Sequence, residues 1–555
     1  MKITASITYY YFFCFLLVIL LISAKAIAEE GNGNAEQPAE VKKSDFPDGF
    51  LFGVSTSSYQ IEGAILDDGK SLSNWDVFVR KRGSVNNGDT ADIAADHYHR
   101  YLEDIEIIHS LGVDAYRFSI SWARILPRGK LGDVNPAGIM FYNKIIDNLL
   151  IRGIKPFVTI HHYDFPQELL DRYGGWLSPF MQDDYVRFAE TCFKYFGDRV
   201  RYWITMNEAN LLSELAYEKG IYPPGHCSPP FGNCSAGNSD IEPLIAMHNM
   251  LLAHSKAVKL YREQFQASEH KQGGMMGVAV SAMMYEPLSD DELDKEAANR
   301  ALAFSLAWGL DPLVYGDYPP EMRRYHGKEL PTFTSEEKQL LSNSTDFIGL
   351  NHYATVYAKD CIYSNCMCSN TTCLPGENRA IKGFVSTITE RDGVPIGEPT
   401  GMFQTFIVPR GIKEIVDYAK KRYPDKPVFI VENGYCPPWE HGEVDDLQHD
   451  TKRVEYHKAY IASLAQAIRD GADVRGYFIW TLMDAFEWSS GYDLKFGLYS
   501  FDRVTLNRIP RLSANWYRDF LRKTSLKDLE SRSAIPAINQ DGLVPNVKDG
   551  SAEMA

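Results

Sequence analysis

The sequence predicts an α/β protein whose main body is a single (β/α)8 TIM barrel, and three observations lead to that fold. Eight apolar segments have the length and composition of buried strands, amphipathic helical segments separate most of them, and several of those helices end at glycine. Repeated β-α units imply a parallel sheet, and eight of them suit a closed barrel. An open doubly wound sheet is the alternative, but no glycine-rich phosphate turn follows the first strand.

The first half of the chain shows the alternation most clearly. The first strand is predicted in FLFGVSTSSYQ, and the helix ADHYHRYLEDIEIIHSLG follows, with Tyr98, Leu102, Ile105 and Ile108 at helical spacing and Gly112 at its end. VDAYRFSISW is the second strand. The unit then repeats as MFYNKIIDNLLIRG before IKPFVTIHHYD, and as FMQDDYVRFAETCFKYFG before VRYWITMNE. The last four strands are predicted in GGMMGVAVSAMMYEP, TDFIGLNHYAT, KPVFIVENG and VRGYFIWTLMD.

Polar and aromatic residues cluster where these strands end. In such barrels the chemistry lies at the carboxyl ends of the strands. This chain places ten such residues there: Gln60, Arg117, His162, Asn207, Glu208, Asn351, Tyr353, Glu432, Trp480 and Glu487. The fourth and seventh strands both end in glutamate, so the barrel brings two carboxylates to one pocket.

Two carboxylates in one pocket suit glycoside hydrolysis. One protonates the leaving oxygen, and the other attacks the anomeric carbon or activates water. Burial and mutual repulsion separate the pKa values of such a pair, and Arg117 is placed to hold the nucleophile ionised. The rings of Trp480, Trp488, Tyr163 and Phe496 offer flat faces to a sugar, and Gln60, His162 and Glu487 offer hydrogen bonds to its hydroxyls. Taken singly, each residue could be an ordinary cap or core residue; the ten together favour an enzyme.

Seven motifs of the chain are FLFGVSTSSYQIEGA, YRFSISWARILP, HHYDFPQEL, TMNEAN, IGLNHYAT, FIVENGY and FIWTLMDAFEWSSGYDLKFGLY. In sequence and in order they resemble those of the plant-type β-glucosidases of glycoside hydrolase family 1, within which the monolignol (coniferin-type) glucosidases are the most similar group. The resemblance covers about residues 45–525 and implies one barrel and a retaining double displacement.

The resemblance also implies roles for individual residues. Glu208 becomes the acid/base and Glu432 the nucleophile, which Arg117, Asn351 and Tyr353 support. The other implied glucose-binding residues are Asn207 at the 2-hydroxyl, Trp480 beneath the ring, and Gln60, His162, Glu487, Trp488 and Phe496. The loop CSPPFGNC resembles one in which the two cysteines pair, here Cys227 with Cys234.

Three positions depart from the family pattern. The family usually has proline where this chain has Ala209, threonine where it has Val431, and tryptophan where it has Tyr163. Both carboxylates are present, whereas the family's sulfur-glucoside branch lacks the acid/base glutamate. Oxygen glucosides are therefore the expected substrates.

The expected aglycone is a phenylpropanoid or similar phenolic. Many relatives place a tryptophan at the pocket mouth, and in GMFQTFIVPRG the corresponding position is Gln404, with Phe403 adjacent. Loss of that indole would widen the mouth. A transglucosidase using the same intermediate, and a non-catalytic glucoside-binding relative, remain as alternatives.

The ends of the chain differ from its body. Residues 1–28 combine Lys2, an apolar core and the small residues Ala26 and Ala28, which predicts a secretory signal peptide rather than a signal anchor. Residues 29–44 form a polar segment, residues 45–525 the barrel, and residues 526–555 a flexible tail. The expected location is extracellular, in the apoplast, with the vacuole as the alternative.

Composition and cysteine usage agree with secretion. A net charge of −16 argues against nucleic acid and anionic membranes as partners. No metal or organic cofactor is indicated, and a small β-glucoside is the expected partner.

Disulfides are also predicted among Cys361, Cys366, Cys368 and Cys373, with a metal knuckle as the alternative, while Cys192 and Cys436 are expected to be free. Glycosylation sequons begin at Asn233, Asn343 and Asn370.

Overall fold

A closed barrel of eight parallel strands forms the centre of the molecule, as predicted. The computed structural model describes residues 41–266, 273–364, 366, 375–438 and 447–522. The chain divides into two units, Met1–Val41 and Lys42–Ala555, and every element below belongs to the second. The barrel strands are β1 Leu51–Ser55, β2 Ala115–Ser119, β3 Lys155–His161, β4 Tyr202–Asn207, β5 Met275–Ser281, β6 Phe347–Asn351, β7 Val428–Asn433 and β8 Val474–Trp480. Each strand pairs with the next, and β8 pairs with β1.

Helices follow the strands around the outside, as the β-α pattern requires. In the described ranges they are α1 Ser58–Ile61, α2 Asn74–Phe78, α3 His97–Leu111, α4 Trp122–Ile125, α5 Pro136–Ile151, α6 Gln167–Tyr173, α7 Phe180–Phe196, α8 Ala209–Tyr217, α9 Glu242–Tyr261, α10 Glu292–Tyr315, α11 Pro320–His326, α12 Ser335–Leu341, α13 Arg410–Arg422, α14 Thr451–Arg469 and α15 Leu512–Arg522. No helix of the described residues is long and apolar enough to cross a membrane.

Side chains from all eight strands fill the inside of the barrel. They are Leu51, Ala115, Phe157, Ile204, Ala279, Phe347, Phe429, Val431 and Phe478. The ring of Phe157 lies 5.0–5.6 Å from the ring centroids of Tyr202, Phe347, Phe429 and Phe478. This packing makes a solid floor, so that a pocket can exist only above it, at the carboxyl ends of the strands.

An extra residue interrupts the pairing of β4, which Glu208 follows, and of β7, which contains Glu432. On β4, Ile204 pairs with Gly277 and Asn207 with Ala279, which sets three residues against two. On β7, Ile430 pairs with Leu350 and Glu432 with Asn351, which sets two against one. Side chains alternate between the two faces of a strand, and the side chain of Val431 points into the barrel. Strict alternation would therefore point the side chain of Glu432 towards the helices, whereas the extra residue in β7 directs it to the barrel mouth.

Three details of the predicted elements are wrong. The first strand ends at Ser55, and Gln60 lies on α1 because the chain turns away from the sheet there. The fifth predicted strand is two strands: β5, and Met284–Pro287, which joins Thr355–Asp360 and Val385–Ile388 in a separate sheet. Of the four helical positions expected to be apolar contacts, Leu102 is 47% exposed.

Glycines end the helices in two different ways. Gly112 has φ +77°, the left-handed conformation that was predicted for a helix end. Gly197, which follows α7, has φ −68°, a conformation that any residue can adopt.

The remaining strands of the described residues form two-stranded ribbons: Glu390–Arg391 with Val394–Pro395, Glu398–Pro399 with Phe406–Ile407, and Tyr499–Phe501 with Arg508–Pro510.

The cysteine predictions are confirmed where the structure describes them. Disulfides join Cys227 to Cys234 and Cys361 to Cys366. Cys192 and Cys436 are free and buried. Cys368 and Cys373 lie outside the described residues, as do the sequon at Asn370, the predicted signal peptide and the predicted tail. The sequon residues Asn233 and Asn343 are exposed.

Candidate active site

Glu208 lies at the junction between β4 and α8, where its backbone takes a left-handed conformation with φ 45° and ψ 51°. Its N–H donates to the carbonyl of Ala279 at 2.8 Å. Its side-chain Oε2 accepts from the Tyr163 hydroxyl and, at 3.3 Å, from Nδ2 of Asn207. The carboxyl is buried, and this burial together with the nearby Glu432 raises its pKa to about 7. Glu208 is therefore placed to carry a proton near neutral pH.

Glu432, near the end of β7, has different partners. Arg117 forms a buried ion pair with its Oε1, and the Tyr353 hydroxyl donates to Oε2 at 2.8 Å. Burial and the charge of Glu432 raise the pKa of Tyr353 well above its usual value, so the phenol keeps its proton and remains a donor. The guanidinium and the phenol both donate hydrogen bonds to this carboxyl. Two such donors favour an ionised carboxylate, which is the form that a nucleophile needs.

Arg117 also connects the two glutamate-bearing strands. Its Nη2 donates to Oδ1 of Asn207 at 2.6 Å, and Asn351 donates to the same oxygen at 3.1 Å. Because both partners are donors, the amide of Asn207 is fixed with Nδ2 towards Glu208 and His162. One network therefore orients both carboxyl groups.

Three rings form one wall of the pocket. The ring of His162 lies 5.9 Å from the centroids of both Trp480 and Trp488, at interplanar angles of 17° and 15°. Burial and the charge of Arg117 lower the pKa of His162 well below its usual value, so the ring is neutral. Near-parallel aromatic faces of this kind suit the C–H face of a sugar.

Several buried polar atoms of the site have no hydrogen-bond partner within the described part of the chain. They are His162 Nδ1, Asn351 Oδ1 and Glu487 Oε1. A buried polar group without a partner costs free energy, and such groups in native proteins commonly mark a ligand site. Burial raises the pKa of Glu487 to about 8, so it can donate as well as accept hydrogen bonds at neutral pH. The set suits a ligand with several hydroxyls.

The side-chain amide of Gln60 already makes hydrogen bonds within the protein, so it is less available to a sugar than the sequence suggests. Its Oε1 accepts from the Ser57 hydroxyl at 2.6 Å, and its Nε2 donates to the Phe486 carbonyl at 2.9 Å. It nonetheless interacts with the Glu487 carboxyl, where a hydrogen bond from Gln60 opposes the rise in pKa. Gln60 therefore anchors the segment that carries Glu487.

The loop before α13 approaches the pocket through a residue that the sequence did not single out. Met402 packs against the buried cluster of Cys436, Trp480 and Phe496, together with Tyr353 and Leu494. The neighbouring Phe403 is 82% exposed, and Gln404 is half-buried. Met402 and Cys436 lie outside the quoted motifs, and the motif that contains Leu494 implies no role for it, so only the fold reveals the place of these three residues. Tyr163 was expected as a flat face, and its hydroxyl contact with Glu208 was not foreseen.

The described residues contain no group of three or more histidine, cysteine, aspartate or glutamate side chains that could hold a metal ion. The chemistry available at the site is that of two unlike carboxyls surrounded by donors and aromatic faces.

Comparison with known proteins agrees with this geometry. Residues 42–526 match the family model described as "Glycosyl hydrolase family 1". The rice (Oryza sativa subsp. japonica) "Probable inactive beta-glucosidase 14" is 53% identical over 489 residues, 88% of this chain and 93% of the relative. The "Coniferin beta-glucosidase" of Pinus contorta is 46% identical over 504 residues, 90% of this chain and 96% of the relative. A solved rice β-glucosidase mutant, in a covalent complex with Glc, is 41% identical with a TM-score of 0.82 and covers 87% of this chain and 100% of that chain.

Proposed function

This chain belongs to glycosyl hydrolase family 1, and we propose that it is a retaining β-glucosidase acting on O-glucosides of phenolic, phenylpropanoid-type aglycones. One observation carries the proposal: two buried carboxyls are connected through Arg117 and Asn207, one of them paired with the guanidinium and the other holding a proton near neutral pH. Those are the two states that a double displacement requires of its nucleophile and its acid.

In the first step Glu432 attacks the anomeric carbon while Glu208 gives its proton to the departing aglycone oxygen. The glycosidic C–O bond breaks as the bond between C1 and the Glu432 carboxylate forms. Loss of the negative charge on Glu432 removes the repulsion that raised the pKa of Glu208, so the second carboxyl can now act as a base.

In the second step Glu208 takes a proton from water, and the resulting nucleophile displaces Glu432 from C1. The glucose is released with its original β configuration after two inversions. The rice β-glucosidase mutant was solved in a covalent complex with Glc, and glucose bound covalently to that protein supports the same route here.

The stereochemistry of the first-formed sugar tests the mechanism. Two carboxyls that act in this way are expected to lie roughly 5–5.5 Å apart, and the product is β-glucose. Proton NMR during the first minutes of hydrolysis of an aryl β-glucoside measures it, before mutarotation mixes the anomers. An initial α-anomer would mean inversion and would remove the nucleophile role from Glu432.

The phenolic preference is supported by the pocket mouth and by one relative. The resemblance to the family implies a tryptophan in many relatives at the position of Gln404, and the relative from Pinus contorta is named a coniferin β-glucosidase. The ratio of kcat/KM for coniferin to that for cellobiose tests the preference. We expect coniferin to be the better substrate and Gln404→Trp to lower the ratio. A wild-type enzyme that prefers cellobiose would contradict the phenolic assignment.

The relative named "Probable inactive beta-glucosidase 14" makes turnover the first quantity to measure. A binding protein that has lost its chemistry would tolerate loss of either carboxyl, whereas this chain keeps Glu208 and Glu432 with complete sets of partners. Transfer of glucose to an acceptor alcohol uses the same intermediate. Mass spectrometry of the products from a panel of aryl and oligosaccharide β-glucosides separates hydrolysis from transfer.

The proposed location is outside the cell. The apolar segment near the amino terminus, the two disulfides and the exposed sequon residues Asn233 and Asn343 support passage through the secretory route. Amino-terminal sequencing of protein collected from the medium tests this: a mature chain that begins near Glu29 is expected.

A further inference from the structure

Tyr163 makes a contact that the residue usual in the family could not make in the same way. It follows β3, is buried, and has a backbone φ of +75°. Its hydroxyl donates to Oε2 of Glu208. An indole at this position would bring one N–H on a larger ring and no hydroxyl. The contact is therefore particular to a chain that has tyrosine here.

The ring of Tyr163 is fixed on several sides. Its centroid lies 5.0 Å from that of Trp488, at an angle of 60°, and 5.8 Å from that of Tyr222. Asn74 donates to its backbone carbonyl at 3.2 Å. A buried ring held in this way has little freedom, so its hydroxyl presents a hydrogen bond in one direction.

We propose that Tyr163 is a positioning residue for Glu208: its hydroxyl holds Oε2 of the carboxyl as an acceptor and leaves Oε1 to carry the transferable proton. This inference rests on the proposed function, because it assigns Glu208 as the acid. Nδ2 of Asn207 donates to the same Oε2 at 3.3 Å, and its orientation is set by Arg117. An oxygen that accepts two hydrogen bonds keeps its lone pairs engaged, so the proton belongs on the other oxygen.

The electrostatic consequence has a definite direction. The titratable and charged groups that act on the Glu208 carboxyl are Glu432, Arg117 and Tyr163. Tyr222 and Tyr353 also lie near the carboxyl, but burial and the surrounding carboxylates raise the pKa of both phenols well above its usual value, so they stay neutral. Burial and Glu432 raise the pKa of Glu208, whereas hydrogen bonds from Tyr163 and Asn351 and the charge of Arg117 lower it. Burial and the charge of Glu208 also raise the pKa of Tyr163 well above its usual value, so the hydroxyl remains protonated and acts as a donor throughout the working range.

Removing the hydroxyl should therefore make Glu208 a weaker acid. In Tyr163→Phe the ring packing is retained, and only the donor is lost. A hydrogen bond to a charged group corresponds to about one pKa unit or somewhat more, so we expect the pKa of Glu208 to rise by about one unit. The acid should also lose its fixed orientation, and kcat should fall about tenfold more for a glucoside with a poor leaving group than for one with an acidic phenol.

The primary experiment follows Glu208 itself and needs no turnover. Protein labelled with ¹³C at the glutamate carboxyls is titrated by NMR, and the Glu208 resonance is assigned by its loss in Glu208→Gln. Wild type, Tyr163→Phe and Tyr222→Phe are compared. Tyr222→Phe is the matched control, because it removes a hydroxyl from the same ring cluster and its described hydrogen bonds do not include Glu208. We expect the titration to move up in Tyr163→Phe and to stay unchanged in Tyr222→Phe.

The kinetic experiment is read separately. In an active enzyme the alkaline limb of kcat/KM, which reports loss of the acid proton, should move up by the same amount in Tyr163→Phe. If wild type hydrolyses no β-glucoside while the NMR titration shifts as expected, the proposed function fails and the contact stands. A Glu208 resonance that titrates as in wild type in Tyr163→Phe, with the near-ultraviolet circular dichroism preserved, would overturn the inference.

Discussion

Glu208 and Glu432 are the same amino acid in one pocket, and their neighbours give them different chemistry. Glu432 shares an ion pair with Arg117, whose guanidinium remains charged at any working pH. Glu208 has only neutral donors on its carboxyl, and its burial raises its pKa to about 7. A cation on one carboxyl and none on the other supports the proposed roles of Glu432 as nucleophile and Glu208 as acid.

This difference predicts unequal effects of the two conservative substitutions. Glu432→Gln should abolish turnover of every β-glucoside, because no other group can form the bond to C1. Glu208→Gln should cost roughly 10²–10⁴-fold on a glucoside with a poor leaving group and far less on a dinitrophenyl glucoside, whose phenolate departs without a proton. Steady-state kcat on the two substrates measures this. Equal losses on both substrates in Glu208→Gln would reverse the assignment or remove it.

At the scale of elements, the sequence predicts the strands well and their irregularities poorly. Apolar runs bounded by helical segments place all eight barrel strands and the pocket at their carboxyl ends. The extra residues on β4 and β7 are visible only against the neighbouring strands, so no single run of letters reveals them. The sequence extends the first predicted strand to Gln60, whereas the fold ends that strand at Ser55 and places Gln60 on α1.

Contacts between loops are the part of the site that sequence patterns could not supply. Tyr163 meets Glu208, and Met402 meets Trp480, across 45 and 78 positions respectively. Motifs carry information about local residues and about positions that a family shares. They do not reveal a side chain whose role depends on a contact with a residue far away in the sequence.

The loop between Pro399 and Phe406 offers a prediction about substrate choice. Met402 packs against the cluster that holds Trp480 and Phe496, so it should form part of the wall that an aromatic aglycone contacts. Met402→Ala should lower kcat/KM for coniferin by about tenfold, the effect of losing roughly 1.4 kcal/mol of apolar contact, and should affect cellobiose less. Phe403→Ala is the control, because that ring is 82% exposed and should leave both substrates unaffected. Equal effects of the two substitutions would place the aglycone elsewhere.

At the scale of the whole molecule, buried titratable groups link stability to pH in two opposite senses. Burial raises the pKa of five carboxyls: Asp164, Glu208, Glu218 and Glu414 to about 7, and Glu487 to about 8. Burial lowers the pKa of seven histidines: His161, His254 and His457 to about 3, His326 and His352 to about 4, His162 well below its usual value, and His248 below its usual value. Folding therefore retains protons on the carboxyls and excludes them from the histidines.

These two sets predict that stability is greatest near pH 6.5. The carboxyls contribute fully below their unfolded pKa of about 4 and lose that contribution as pH rises through 7 to 8. The histidines contribute fully above their unfolded pKa of about 6.5 and lose it as pH falls towards 4. From about pH 4.5 to 6.5 the seven histidines outweigh the five carboxyls, so stability rises with pH. Above about pH 6.5 the unfolded histidines lose their remaining protons, the loss of the carboxyl contribution dominates, and stability falls. The midpoint of thermal unfolding, measured from pH 4.5 to 8.5, should therefore pass through a maximum. Glu487→Gln should flatten its alkaline side and His457→Gln its acid side, and a midpoint that rises steadily to pH 8.5 would contradict the argument.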